Sequence, residues 1–161
     1  MKSKASIVEV TLESRVKNVE VAEEISRGVS ETAGFGPEAA FQIEMAVHET
    51  VINAIYHGNQ QDPRKNVSLK FLIFEDGLEI HVRDEGMGFD PGSLPDPVAK
   101  ENLLNVSGRG IFLVRKFMDE FKVETSAGSG TEVIMVKHRN PKIESNQGGA
   151  SRELEGNSAS G

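Results

Sequence analysis

The chain contains no cysteine, which excludes disulfides, cysteine-based zinc sites and thiol catalysis. Histidine is scarce as well, at four residues. The stretch His48–Ile52, "HETVI", nearly spells the zinc-protease pattern H-E-x-x-H. Ile52 stands where the second histidine would be, so a zinc site is not expected. Positive charge is in short supply, with 18 Lys and Arg against 25 Asp and Glu, a formal net charge of −7. A broad nucleic-acid surface needs clustered cations, so direct nucleic-acid contact is not expected. No apolar run approaches the roughly 20 residues that span a bilayer. No positively charged start leads into an apolar signal core, so the expectation is a cytoplasmic protein without membrane contact. The phosphate-binding signatures G-x-x-x-x-G-K-[ST] and G-x-G-x-x-G are both missing.

What is present suits one ordinary soluble domain. The length of 161 residues and the 37% hydrophobic content allow a real core. After His138 the sequence turns polar, ending in "SNQGGASRELEGNSASG". The expected organisation is a domain over 1–138 and a flexible polar tail over 139–161.

Periodicity divides the domain into elements. "SIVEVTL" (6–12) alternates, with Val8, Val10 and Leu12 on one face of a strand. From Arg15 to Thr32 the period becomes helical, with Val16, Val19, Ala22, Ile25 and Val29 in one stripe. "GFGP" (34–37) stops that helix and starts the next, predicted from about Glu38 to Tyr56. "NVSLKFLIF" and "GLEIHV" read as strands joined at "EDG", where Gly77 can supply a positive φ. Residues 86–108 form a long connection rich in Gly and Pro, the kind that serves as a lid or binding loop. "RGIFLVRKFM" (109–118) is a third helix, and "EFKVETS" and "TEVIMVK" form a last hairpin around "AGSG". The fold class is therefore α+β, a mixed, mostly antiparallel sheet with helices covering one face.

Several polar residues stand in apolar company. In the second helix, Ile43, Val47, Val51 and Ala54 cluster on one side, and Met45, Ile52 and Tyr56 nearly opposite. Glu49, Asn53 and His57 form a narrow polar stripe between them. A helix apolar on two sides is expected to be largely buried. The stripe therefore either faces a cavity or reaches solvent at one edge of the layer. Asp84 shares the inward parity of Leu78, Ile80 and Val82 and is followed by Gly86 and Gly88. It suits a pocket for a polar ligand, or a strand-ending turn cap. "SGRGIF" (107–112) opens the third helix, where glycines and free N–H groups can receive a phosphate. "GSGT" (128–131) closes the series, and alone would be only a turn.

Each of these is weak alone, but together they form an ordered set. E-x-x-x-N on a helix, D-x-G-x-G after a strand, G-x-G at a helix start beyond a long loop, and G-x-G-T in a hairpin follow in that order. The chain resembles the ATP-binding fold shared by gyrase, Hsp90, sensor histidine kinases and MutL. "NAIYHGN" (53–59) and "GRGIFLVRKFMDEF" (108–121) are similar to the bacterial anti-sigma-factor serine/threonine kinases. The resemblance covers roughly residues 5–138. It implies a Bergerat-type two-layer sandwich with an ATP lid, and ATP and Mg²⁺ as cofactors.

The resemblance also implies roles for particular residues. Asn53 would coordinate Mg²⁺ and Glu49 would be the general base. Asp84 would accept from the adenine amino group, with Thr131 supporting it and Gly86 and Gly88 leaving room beside the base. Gly108 and Gly110 would wrap the phosphates. Arg109 would touch a phosphate or stand in solvent. His57 would satisfy local hydrogen bonds, and His48 lies too far around the helix to relay a proton to Glu49.

The implied function is a protein serine/threonine kinase acting as an anti-sigma factor. Its partners would be a sigma factor and a STAS-type anti-sigma-factor antagonist, and it would be a homodimer. Two alternatives remain: a catalytically silent ATP-dependent binding module, and a detached histidine-kinase catalytic domain.

Overall fold

The computed structural model describes residues 4–88, 110–125 and 127–139. The element order is β1 (Ser6–Glu13), α1 (Asn18–Thr32), α2 (Pro37–Asn53), a π turn (Ala54–Gly58), β2 (Asn66–Phe74), β3 (Gly77–Arg83), α3 (Gly110–Phe117), β4 (Glu120–Thr125) and β5 (Thr131–His138). The strands form one sheet in the order β1-β2-β3-β5-β4. The expected mostly antiparallel sheet is antiparallel at each of its four described pairings. β5 enters between β3 and β4, so β3 and the last hairpin lie side by side although the long connection separates them in sequence.

Strict alternation gives the sheet its two faces. Leu69, Phe71, Leu78, Ile80, Val82, Val133 and Met135 point into the core beneath the helices. Val8, Val10 and Leu12 of edge strand β1 pack partly against the same core, as their spacing predicts. The opposite face is polar around His81, whose Nε2 lies 2.7 Å from Glu79 and Nδ1 3.1 Å from Glu132.

Helix ends follow local chemistry. Gly34, at φ +83°, closes α1 in a Schellman arrangement. Its N–H donates to Glu31 O, and the Phe35 N–H donates to Ser30 O. Gly36 then caps α2, with Pro37 at its first position. α1 begins later than its apolar stripe implied. Residues 15–17 form a turn instead, with the Asn18 N–H donating to Arg15 O at 2.9 Å. Val16, at the head of that stripe, consequently lies 49% exposed.

Gly77 also differs from expectation. It is not among the glycines with positive φ. Its constraint is close approach: a Cβ there would stand 2.6 Å from the carbonyl oxygen of Lys137 on β5. A side chain at this strand position would push the two strands apart.

The second helix departs most from its prediction. Its α-helical hydrogen bonding ends at Asn53, and residues 54–58 widen into the π turn. Its inner side is buried as predicted, but the side carrying Met45, Ile52 and Tyr56 is only partly covered, with Met45 half-buried and Ile52 packing against the core at its margin. Tyr56 is 40% exposed. α1 and α3 flank α2 without closing over this outer face.

Candidate nucleotide site

A narrow cleft lies between α2, α3 and the ends of β3 and β5. Val82, Ile111, Val114, Phe121 and Val133 give it apolar walls, and Thr50, Asn53, Asp84 and Thr131 supply its polar groups. An apolar slot with a few convergent polar groups is the usual form of a small-molecule site.

Asp84 is the centre of that polar set. It is 4% exposed, and its Oδ1 accepts two backbone hydrogen bonds, from Gly86 N–H at 2.9 Å and Thr131 N–H at 3.2 Å. Its own N–H donates to Thr131 O at 3.0 Å. Burial pushes its carboxyl pKa above the ordinary aspartate value, and the two backbone donors pull in the opposite direction.

Three glycines cage this carboxylate. A Cβ on Gly58 would stand 2.2 Å from Asp84 Oδ2 and 2.3 Å from its Cγ. One on Gly86 would stand 2.1 Å from Gly58 O, and one on Gly130, at φ +76°, 2.3 Å from Asp84 O. The room that Gly86 leaves is therefore taken by the Gly58 backbone. Gly88, at φ +60°, lies two residues farther on and is half-buried.

The π turn explains how Gly58 reaches Asp84. Widening the last turn carries the chain off the helix axis and toward the end of β3. Asn59 follows, fully buried. Its Nδ2 donates to Ser14 Oγ at 2.6 Å and to Asn66 O at 2.9 Å, while its Oδ1 accepts from Glu85 N–H at 2.8 Å. One side chain thus joins the end of β1, the start of β2 and the residue after Asp84. Gly58 and Asn59 are structural determinants of the site; both stand in the family-like stretch "NAIYHGN", but that resemblance assigned them no role.

The other predicted residues divide clearly. Asn53 lines the cleft at 8% exposure, and its amide makes no hydrogen bond with a described residue. Glu49, one turn earlier, is half-buried outside the cleft lining, without a hydrogen bond or ion pair to a described residue. Thr131 is buried against Asp84, with its hydroxyl 3.1 Å from that of Thr125. Gly110 is buried at the start of α3. Gly108, Arg109 and nearly all of the expected lid lie outside the described residues, as does the tail from residue 140. His57 is exposed and makes no local side-chain hydrogen bond to a described residue, unlike the expectation. His48 contacts Glu23 on α1, away from Glu49.

The donor set fits magnesium held mainly by a ligand's phosphates. Asn53 offers a free amide oxygen, and among the described residues no three His, Asp or Glu side chains gather into a metal cage.

The sequence profile of the histidine kinase-like ATPase domain matches residues 12–137. The chain belongs to that family. Within this ATPase family it sits with the RsbW serine-protein kinases. It is 30% identical over 146 residues to serine-protein kinase RsbW of Bacillus subtilis (strain 168), over 87% of this chain and 90% of that protein. It is 31% identical over 121 residues to the RsbW of Listeria monocytogenes serotype 4a (strain HCC23), over 71% of this chain and 76% of that one. The structure of the RsbU and RsbW domains of Rv1364c from Mycobacterium tuberculosis shares the fold. Its TM-score is 0.62 at 16% identity, over 84% of this chain and 33% of that longer one. The nucleotide of an ATPase family is ATP. Among the described residues no helix is long and apolar enough to cross a membrane.

Proposed function

We propose that this chain is an ATP-dependent protein serine/threonine kinase that also acts as an anti-sigma factor. It phosphorylates a STAS-type antagonist and sequesters a sigma factor, working as a homodimer in the cytoplasm. The observation that carries the reading is the placement of Glu49 and Asn53 one turn apart on α2. Asn53 lies inside the cleft that Asp84 closes, and Glu49 lies just outside it.

The chemistry follows from that placement. Asp84 accepts a hydrogen bond from the adenine amino group, and the Thr131 N–H holds its carboxylate in place. The apolar walls sandwich the ring. Asn53 would hold Mg²⁺, which would supply positive charge beside the phosphates. Gly88 and Gly110 are the proposed triphosphate contacts among the described residues, and the roles proposed for Gly108 and Arg109 fall outside them. Glu49, facing outward from the cleft, accepts the proton of the acceptor's Ser or Thr hydroxyl. That oxygen forms a bond to the γ-phosphorus as the bond to the β-phosphate oxygen breaks, and ADP leaves. Positioning and electrostatics carry most of such a transfer.

The test is phosphate transfer from ATP to a purified STAS-type antagonist by the full chain and by Glu49→Gln. The expected result is acid-stable phosphoserine or phosphothreonine with the wild type. The variant should lose about 10²–10⁴-fold in rate, the range for a general base, with ATP affinity retained. ATP binding without transfer by the wild type would make the chain a silent binding module. Acid-labile phosphohistidine on the acceptor would make it a histidine-kinase catalytic domain.

A further inference from the structure

Helix α2 has the composition of a buried helix, yet one face is open. Its inner side is fully buried through Ile43, Val47 and Val51. α1 closes one flank through the Arg27–Glu44 pair, at 2.8 Å, and the contact of Glu23 with His48. Thr50 and Asn53 close the other, toward α3 across the cleft. At about 100° per residue, Phe41, Ile52 and Met45 fall within about 40° on the face that remains, and Glu49 lies about 40° beyond Met45. Phe41 is 56% exposed, Tyr56 continues the same face past the π turn, and Met45 and Ile52 are half-buried. A helix apolar all round is ordinarily covered, and exposed aromatics beside a catalytic group mark a place where another surface sits.

We propose that this outer face of α2 is the docking surface for the protein whose hydroxyl is phosphorylated, an inference that rests on the kinase reading above. The acceptor must bring its hydroxyl to Glu49. A stable protein contact covers about 800 Å² on each side, a disc of roughly 16 Å radius. Phe41 lies eight residues from Glu49 along the helix, about 12 Å at 1.5 Å per residue. Tyr56 lies seven residues the other way, about 10 Å. An acceptor centred on Glu49 therefore covers both aromatics, and such groups are the usual anchors of an interface. The surrounding charge indicates the acceptor's rim. Glu20 and Glu24 on α1, Glu38 at the start of α2 and Glu49 form no ion pair with a described residue, so the matching surface is apolar with basic residues around it.

The experiment measures steady-state phosphorylation of the purified STAS-type antagonist by wild type, Phe41→Ser, Phe41→Leu and Tyr56→Ser. ATP affinity and sedimentation mass are measured in parallel. Phe41→Ser is expected to raise the acceptor KM about tenfold, the loss of one aromatic anchor, with kcat and ATP affinity unchanged. Phe41→Leu should recover most of it, and Tyr56→Ser should reproduce the effect. Transfer by the wild type with an acceptor KM unchanged in both serine variants would overturn the docking surface alone. Weakened ATP binding with unchanged acceptor KM would assign the face to the chain's own residues 89–109 instead. A fall in sedimentation mass with unchanged acceptor KM would assign it to a second copy. No transfer by the wild type would remove the kinase reading, and the proposal with it.

Discussion

Adding one methyl group at Gly58 should damage the nucleotide site from behind. The Cβ of Gly58→Ala would stand 2.2 Å from Asp84 Oδ2, 2.3 Å from Cγ and 2.8 Å from Cβ. Rotation about χ1 cannot relieve the last contact, because the Asp84 Cβ is fixed by a backbone that itself hydrogen-bonds to Thr131. Either the π turn or the end of β3 must move. Overpacking of this kind costs about 1–3 kcal/mol. If the carboxylate moves instead, it forfeits the hydrogen bonds from Gly86 and Thr131 N–H, each worth about 1.5–3 kcal/mol to a charged acceptor. The cheaper route sets the outcome, so the loss should be about 1–3 kcal/mol in urea unfolding. ATP affinity should fall at least about tenfold, equivalent to about 1.4 kcal/mol at the adenine contact. A double-mutant cycle with Asp84→Gly separates the contact from general damage to the turn, because that change removes every Asp84 side-chain atom in conflict. Gly58→Ala should then cost markedly less than in the wild-type background. A Gly58→Ala protein with native unfolding midpoint and native ATP affinity would refute the caged carboxylate.

Other expectations follow from the same geometry. Asn59→Ala should destabilise by about 3 kcal/mol, leaving the Asn66 carbonyl and Glu85 N–H without their side-chain partner, as read by the urea midpoint. Asn53→Ala should retain Mg²⁺-free ATP binding and lose its enhancement by Mg²⁺ in calorimetry, and an undiminished enhancement would remove Asn53 from the metal. Asp84 bears on pH. Its folded pKa is raised by burial, so the folded protein binds the proton more tightly than the unfolded chain. Its contribution to stability is complete below the ordinary aspartate pKa and falls as pH rises through the folded value. Asp84→Asn should flatten that segment of the pH–stability curve and weaken ATP binding. A curve that keeps its slope in the variant would place the titration elsewhere.

The elements and most of the inward-facing positions were legible in sequence because they rest on period. Alternation put Asp84 on the same side as Val82, and helical spacing put Asn53 in a polar stripe that could face a cavity or reach solvent. What was not legible depends on contacts between distant segments. A π turn has no composition of its own, and residues 54–56 continue a plausible α-helical pattern before the polar loop. The turn makes sense only once Gly58 is seen against Asp84. Gly77 looked like a turn glycine, while its constraint comes from a carbonyl 60 residues away on β5. Asn59 looked like an ordinary loop asparagine, because its three partners sit at positions 14, 66 and 85. Val16 followed the apolar stripe of α1, but the helix begins only at Asn18 and leaves it outside.

The seam between β3 and β5 has an evolutionary consequence. It runs from Gly77 opposite His138 to Arg83 opposite Glu132, and Asp84 and Thr131 bind each other just past its end. The corner around Asp84, proposed above to face adenine, is thus closed by backbone pairing on both sides of the segment between Gly88 and Gly110. Insertions or deletions in that segment would leave the corner's dimensions unchanged. Descendants of this chain could therefore vary the length and composition of that segment without redesigning the corner around Asp84.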